Sequence, residues 1–107
     1  KTDLHLSEKY FLLADSQGDI HSAHHLAMLY QQPELKNYYK AYCFAKKSAK
    51  NGKPEGEYIY ANLLYIGRGC EPDIQEAYKY YKLAFDHGIY QAKFMMERID
   101  KLQKDDY

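Results

Sequence analysis

The feature that most constrains this chain is a spacing: Asp3, Asn37 and Asp73 each stand 15 residues before a glycine, at Gly18, Gly52 and Gly88. Asp and Asn are helix N-cap residues, because a short side-chain oxygen can accept from an orphan backbone N–H of the first turn. Glycine suits the position just past a helix end, where the backbone turns left-handed. Each interval therefore predicts one helix. Four residues past each cap stand the small residues Ser7, Ala41 and Ala77, and seven and eight past stand Tyr10-Phe11, Phe44-Ala45 and Tyr80-Tyr81. The coincidence of cap, small residue, bulky position and glycine reads as an internal repeat with periods of 34 and 36 residues.

Between these helices the apolar pattern predicts others. Asp3 to Gln17 is the first, with Leu6, Tyr10, Leu13 and Ala14 at helical spacing and a second apolar set at Phe11 and Leu12. So wide an apolar arc suits a helix sandwiched between neighbours. A second helix is expected from Ile20 to Gln31 (Ala23, Leu26, Ala27, Leu29 and Tyr30), stopped by Pro33. The third runs from the Asn37 cap to Asn51 and should bury Ala41, Phe44, Ala45, Ser48 and Ala49. Pro54 fits the first turn of a fourth, Glu55 to Ile66, with Gly56, Tyr60, Ala61, Leu63 and Leu64 inward. The fifth runs from Asp73 to His87, with Glu76 placed for a capping box, and the sixth from after Gly88 to Lys104 with Ala92, Met96 and Ile99 inward. Nothing asks for a strand. The expected fold is all-α: about six helices in a right-handed α/α solenoid, one domain over 1–107 with a partial repeat at 1–18, repeats at 19–52 and 53–88, and a terminal helix at 89–104.

Charge narrows the partner. Fifteen basic and fifteen acidic residues cancel, which argues against a nucleic-acid-binding protein. Lys46, Lys47, Lys50 and Lys53 form the nearest thing to a basic patch, and lysines near a helix end favour the negative end of its dipole. No apolar run reaches the ~20 residues of a membrane helix, so membrane insertion is not expected. The chain opens on Lys1 and not methionine, so it reads as a mature form or a piece of something longer, and its compartment is unknown. Cys43 and Cys70 are too few for a disulfide framework and read as two unpaired, small apolar side chains.

Catalytic and metal chemistry find little support. His21 and His25 are an i, i+4 pair that could share a metal, yet no third ligand is evident beside them and a polar helix face explains them better. Gly67-Arg68-Gly69 follows a helix where a phosphate loop follows a strand, and it lacks the lysine and serine of such a loop; a need for positive φ explains its glycines. Ser7, Ser16, Ser22 and Ser48 have no His or acid at a recognisable spacing. Asp100 with Glu97, and Asp105-Asp106, read as solvated charge. No cofactor is expected.

Tyr60 to Cys70, YANLLYIGRGC, then Asp73, Glu76-Ala77, Tyr80-Tyr81 and Ala84-Phe85 before Gly88, resemble the unit of the Sel-one-like repeat (SLR) family, a relative of the tetratricopeptide repeats. That unit reads roughly L-G-x-L-Y-x-x-G-x-G-V, an aspartate, K-A, an aromatic pair and A-A before a glycine. The preceding unit fits at Leu26 to Tyr30, Lys40-Ala41 and Ser48-Ala49, and departs at Pro33 to Lys36, where the double-glycine loop is replaced by one two residues shorter. The resemblance covers nearly the whole chain.

It implies a non-enzymatic protein–protein interaction module, an adaptor or scaffold holding a peptide or folded partner on a concave face. An immunity-type protein neutralising a bacterial toxin or effector is one form it implies, and a cell-wall or β-lactam-related enzyme of the SLR type is the rival. By analogy with tetratricopeptide arrays, the concave row is His24, Met28 and Gln31; Tyr58, Asn62 and Tyr65; Phe94, Arg98 and Lys101. Aromatic, methionine and arginine side chains dominate it, the types that concentrate binding energy at interfaces. Asp3 matches the cap of a second repeat helix, so one flank of the first helix is expected to lack its partner and to be capped from outside or to self-associate.

Overall fold

The structure is a computed structural model describing residues 3–104. Within them the chain is six α-helices and no strand: α1 (Leu4–Ser16), α2 (Ser22–Leu29), α3 (Tyr38–Lys50), α4 (Pro54–Ile66), α5 (Ile74–Asp86) and α6 (Ala92–Lys104). Asp105-Asp106 lie outside the described residues.

The caps work as their chemistry demands. Asp3 accepts from the His5 and Leu6 amides, Asn37 Oδ1 from Lys40 N at 3.1 Å, and Asp73 Oδ1 from Glu76 N at 3.0 Å. The capping box at Asp73 is only half made. Its return bond is pre-empted, since Asp73 N donates to Leu64 O at 2.9 Å. Gly18, Gly52 and Gly88 sit at φ +89°, +76° and +107°, which ends the preceding helices in the left-handed region. Helix α2 is shorter than its apolar pattern suggests, because Asp19 Oδ1 takes His21 N at 2.8 Å in a turn that delays the helix to Ser22.

The two long loops close on the same bond. Asn37 N donates to Tyr30 O at 2.8 Å, at the position matching the Asp73–Leu64 bond, although its loop is two residues shorter and has no glycine. In the longer loop Gly67 and Gly69 both have positive φ, and a Cβ on Gly69 would drive into the backbone of Tyr38 and Tyr39 at the start of α3.

Each helix packs on the next in sequence, and α2 also touches α4, giving an elongated body of 49 × 26 × 25 Å. The core runs down its middle: Leu26 of α2 and Tyr30 at its C-cap, Ala41 and Ala45 of α3, Tyr60, Ala61 and Leu63 of α4, Tyr80 and Tyr81 of α5, Ile99 of α6. Phe44, Leu29 and Met96 are only half-buried at its edge.

Helix α1 is less enclosed than its wide apolar arc suggests, and one apolar side of it is open, as the expected missing partner implies. It buries no residue fully, and Leu6, Tyr10 and Leu13 are 64, 65 and 58% exposed. Among the described residues only α2 packs broadly along α1. Its attachments are specific instead: Tyr30 Oη donates to Glu8 Oε2 at 2.7 Å, Lys47 Nζ sits 2.9 Å from Asp15, and Phe11 stacks on His25.

Where a helix ending at a glycine meets the next helix, the contact pairs small residues. Ser48 of α3 meets Gly56 of α4, both buried, and a Cβ on Gly56 would overlap the Ser48 side chain and lie 2.8 Å from its carbonyl carbon. Ala84 and Ala92 hold the matching positions in α5 and α6, both fully buried. Gly56→Ala should therefore destabilise the fold by about 1–2 kcal/mol, against the ~1 kcal/mol gain that Gly to Ala brings at an open helix site. Thermal melts of Gly56→Ala and of the double variant with Ser48→Gly check this; the double variant should recover part of the loss.

Candidate partner-binding face

The nine residues of the expected concave row fall on α2, α4 and α6 or just beyond α2, and they differ in what they offer. Met28 is half exposed, while Phe94, at 73% exposure, Arg98 and Lys101 stand well out from α6. Tyr58, Asn62 and Tyr65 are half-buried on α4, and Gln31 is half-buried with its side-chain amide donating to Ala27 O at 3.2 Å. His24 differs. It is only 8% exposed and packs at 4.1 Å between ring centroids on His25. Burial, then the nearby His25, lowers its pKa, and its Nδ1 has no protein partner among the described residues. Of the nine it has the smallest fractional exposure.

The α4 group is built around a residue of the next helix. Tyr81, fully buried on α5, donates its hydroxyl to Asn62 Oδ1 and meets the edge of the Tyr58 ring at 5.9 Å. Burial raises the Tyr81 pKa, and the phenols of Tyr58 and Tyr65 add to the shift, so both lie beside it. Asn62 is thus a fixed part of the α4–α5 packing, with Tyr58 and Tyr65 disposed on either side.

At the α2 end a mostly apolar groove of about 180 Å³ opens between α1 and α2, lined by Leu4, Ser7, Phe11, His25, Met28, Leu29 and Gln32. Phe11 and His25 form its wall, stacked at 4.7 Å with an interplanar angle of 12°. Neither was in the expected row. Phe11 read as part of a second apolar set and His25 as half of a metal pair; what joins them is the α1–α2 crossing, which sequence spacing does not encode.

The remaining polar groups are structural or unclustered. His87 Nδ1 lies 2.7 Å from Glu57 Oε1, a carboxylate 2% exposed, tying the end of α5 to α4. Lys53 Nζ lies 2.8 Å from His21 Nδ1. No three His, Cys, Asp or Glu side chains gather closely enough among the described residues to hold a metal ion. Both cysteines are free, Cys43 exposed on α3 and Cys70 half-buried with its thiol pKa raised by burial. No described helix is long and apolar enough to cross a membrane. Comparison with known proteins adds no assignment: no family model matches the chain, and no curated protein matches it significantly.

Proposed function

We propose that this chain is a non-enzymatic protein–protein interaction module: a right-handed α/α solenoid of the SLR type whose α2, α4 and α6 line a concave face that holds a peptide or folded partner. The observation that carries the reading is the direct contact of α2, which carries Met28 and one wall of the apolar groove, with α4, which carries Tyr58 and Tyr65. Phe94 and Arg98 of α6, both exposed, complete the row. Large side chains with a polar tip or a soft thioether, left open on a rigid frame, suit recognition of another chain.

The test is affinity capture from the source cells with the full chain as bait, compared with a Met28→Ala/Tyr65→Ala/Phe94→Ala/Arg98→Ala variant. Asn62 is left out, since its loss would strand the buried Tyr81 hydroxyl. The variant should keep its helical circular dichroism and lose the partner by about tenfold or more, the effect of one or two anchor residues. A partner retained at full strength removes the concave assignment, and hydrolysis of a β-lactam reporter by the wild-type chain would remove the non-enzymatic one.

A further inference from the structure

From Leu35 to Pro54 the chain carries six lysines and no acid, although its thirty charged residues are evenly divided overall. That stretch is α3 with its flanks. Helix α3 buries Ala41, Ala45, Ser48 and Ala49, which share one face, so its opposite face consists of Tyr39, Lys40, Cys43, Lys46, Lys47 and Lys50, all exposed. Lysines at the end of a helix are accounted for by its dipole, but Lys36 and Lys40 stand at the beginning, where the dipole disfavours them. Within the element itself no carboxylate offsets these charges.

The cations are also held in place. Arg68, from the loop before α5, and Lys36 lie over the Tyr38 ring at 5.0 and 5.5 Å, Lys40 over Tyr30 at 5.5 Å and Lys46 over Tyr42 at 6.0 Å. Lys50 Nζ lies 5.7 Å from the Tyr80 ring centroid, and the neighbouring Tyr80 side chain raises its pKa. Rings that seat the lysine stems reduce the side-chain freedom lost on binding. Tyr39 stands among them, 67% exposed.

We propose that the outward face of α3 is a second docking surface, separate from the concave face, and that it binds a short acidic segment of a protein. Charge complementarity sets the sign of the partner, and the borders set its size. Asp15 flanks one side, paired with Lys47, and Glu76 lies near Lys50 on the other, while Glu34 and Glu55 bound the stretch in sequence. Thirteen helical residues extend about 20 Å, the reach of roughly six extended peptide residues. A nucleic-acid backbone running on past the patch would meet these carboxylates; a peptide of a few Asp and Glu with one apolar residue for Tyr39 would not.

The experiment uses the full chain and three labelled probes: a peptide of about ten residues, Asp and Glu around one Leu; its Asn and Gln counterpart; and a single-stranded oligonucleotide of about ten nucleotides. Fluorescence anisotropy at low salt, about 50 mM, should show the acidic peptide binding and its neutral counterpart not, with affinity falling as salt rises. Lys40→Glu/Lys46→Glu should weaken the peptide about tenfold or more with the fold unchanged, amide shifts should centre on residues 38–50, and Met28→Ala/Phe94→Ala should leave affinity alone. The proposal is overturned if the oligonucleotide binds as tightly as the peptide, if the charge reversal has no effect, or if the concave variant abolishes binding. None of these results bears on capture through the concave face.

Discussion

Tyr81→Ala should unfold a large part of the population at physiological temperature, lowering stability by about 3–5 kcal/mol in a domain whose whole margin is of the order of 5–15 kcal/mol. Among the described residues Tyr81 is the largest side chain with essentially no exposure, it lies where α4 meets α5, and the Tyr58 ring meets it in a T-shaped contact. Truncation opens a cavity in the core, and the α5 neighbours on the same helix face, Ala77 and Ala84, have no longer side chain to swing in. Tyr81→Phe separates packing from hydrogen bonding. It keeps the ring and deletes only the hydroxyl that Asn62 accepts, so about 1 kcal/mol should be lost. Asn62→Ala is the reciprocal test and should cost somewhat more, about 1–3 kcal/mol, because the hydroxyl it abandons is fully buried. Urea unfolding with unchanged m-values reads all three; a Tyr81→Phe loss as large as that of Tyr81→Ala would mean that the bond, and not the ring, holds α4 on α5.

Helix ends were the most legible part of the sequence, because they depend on local chemistry. Asp3, Asn37 and Asp73 accept from first-turn amides whatever packs nearby, and a glycine at positive φ marks its position without reference to the rest of the fold. Legibility weakened where an answer depends on a neighbour. The apolar stripe of α1 was visible, but whether Leu6, Tyr10 and Leu13 face a helix or water depends on what packs there. Helical spacing put His24 in line with Tyr58 and Phe94, yet α2 is short and starts late, and His24 is buried on His25 while the other two are not. The Phe11–His25 wall and the Arg68 cation seated on Tyr38 involve residues 14 and 30 positions apart, brought together by a helix crossing and a loop that periodicity does not specify. The lysine excess of α3 was legible only in part. Its C-terminal lysines read as dipole partners, and the signal that extends them into a patch is the absence of any acid from Leu35 to Pro54.

Stability should collapse in alkali, beginning near pH 10, because three core tyrosines resist ionisation. Burial first, then its bond to Glu8, pushes the Tyr30 pKa up to about 12; burial, then Tyr42, raises that of Tyr60; burial, then Tyr58 and Tyr65, raises that of Tyr81. Each is 4% exposed or less, so none can ionise by reaching solvent while the helices stay packed. The sign follows from proton counting. With folded pKa values above the unfolded value of about 10, the unfolded chain releases these protons first, so the native state holds more protons and loses ground as pH rises. Their contribution is whole below pH 10 and drains away through about pH 12 for Tyr30, and further for the other two. Each group costs about 1.4 kcal/mol per pH unit in that window, and three acting together about 4 kcal/mol per unit, enough to exhaust an ordinary domain within one to three units. Urea midpoints taken at intervals above pH 9, followed by circular dichroism and by phenolate absorbance, test this: the last phenols should ionise together with the loss of helix, as one cooperative step. Tyr81→Phe should flatten the pH slope by about a third while lowering the starting stability, a combination that follows only if the Tyr81 phenol is held neutral by the fold. A midpoint that stays level well above pH 11 would instead mean that the helices open easily enough for these rings to meet hydroxide without unfolding.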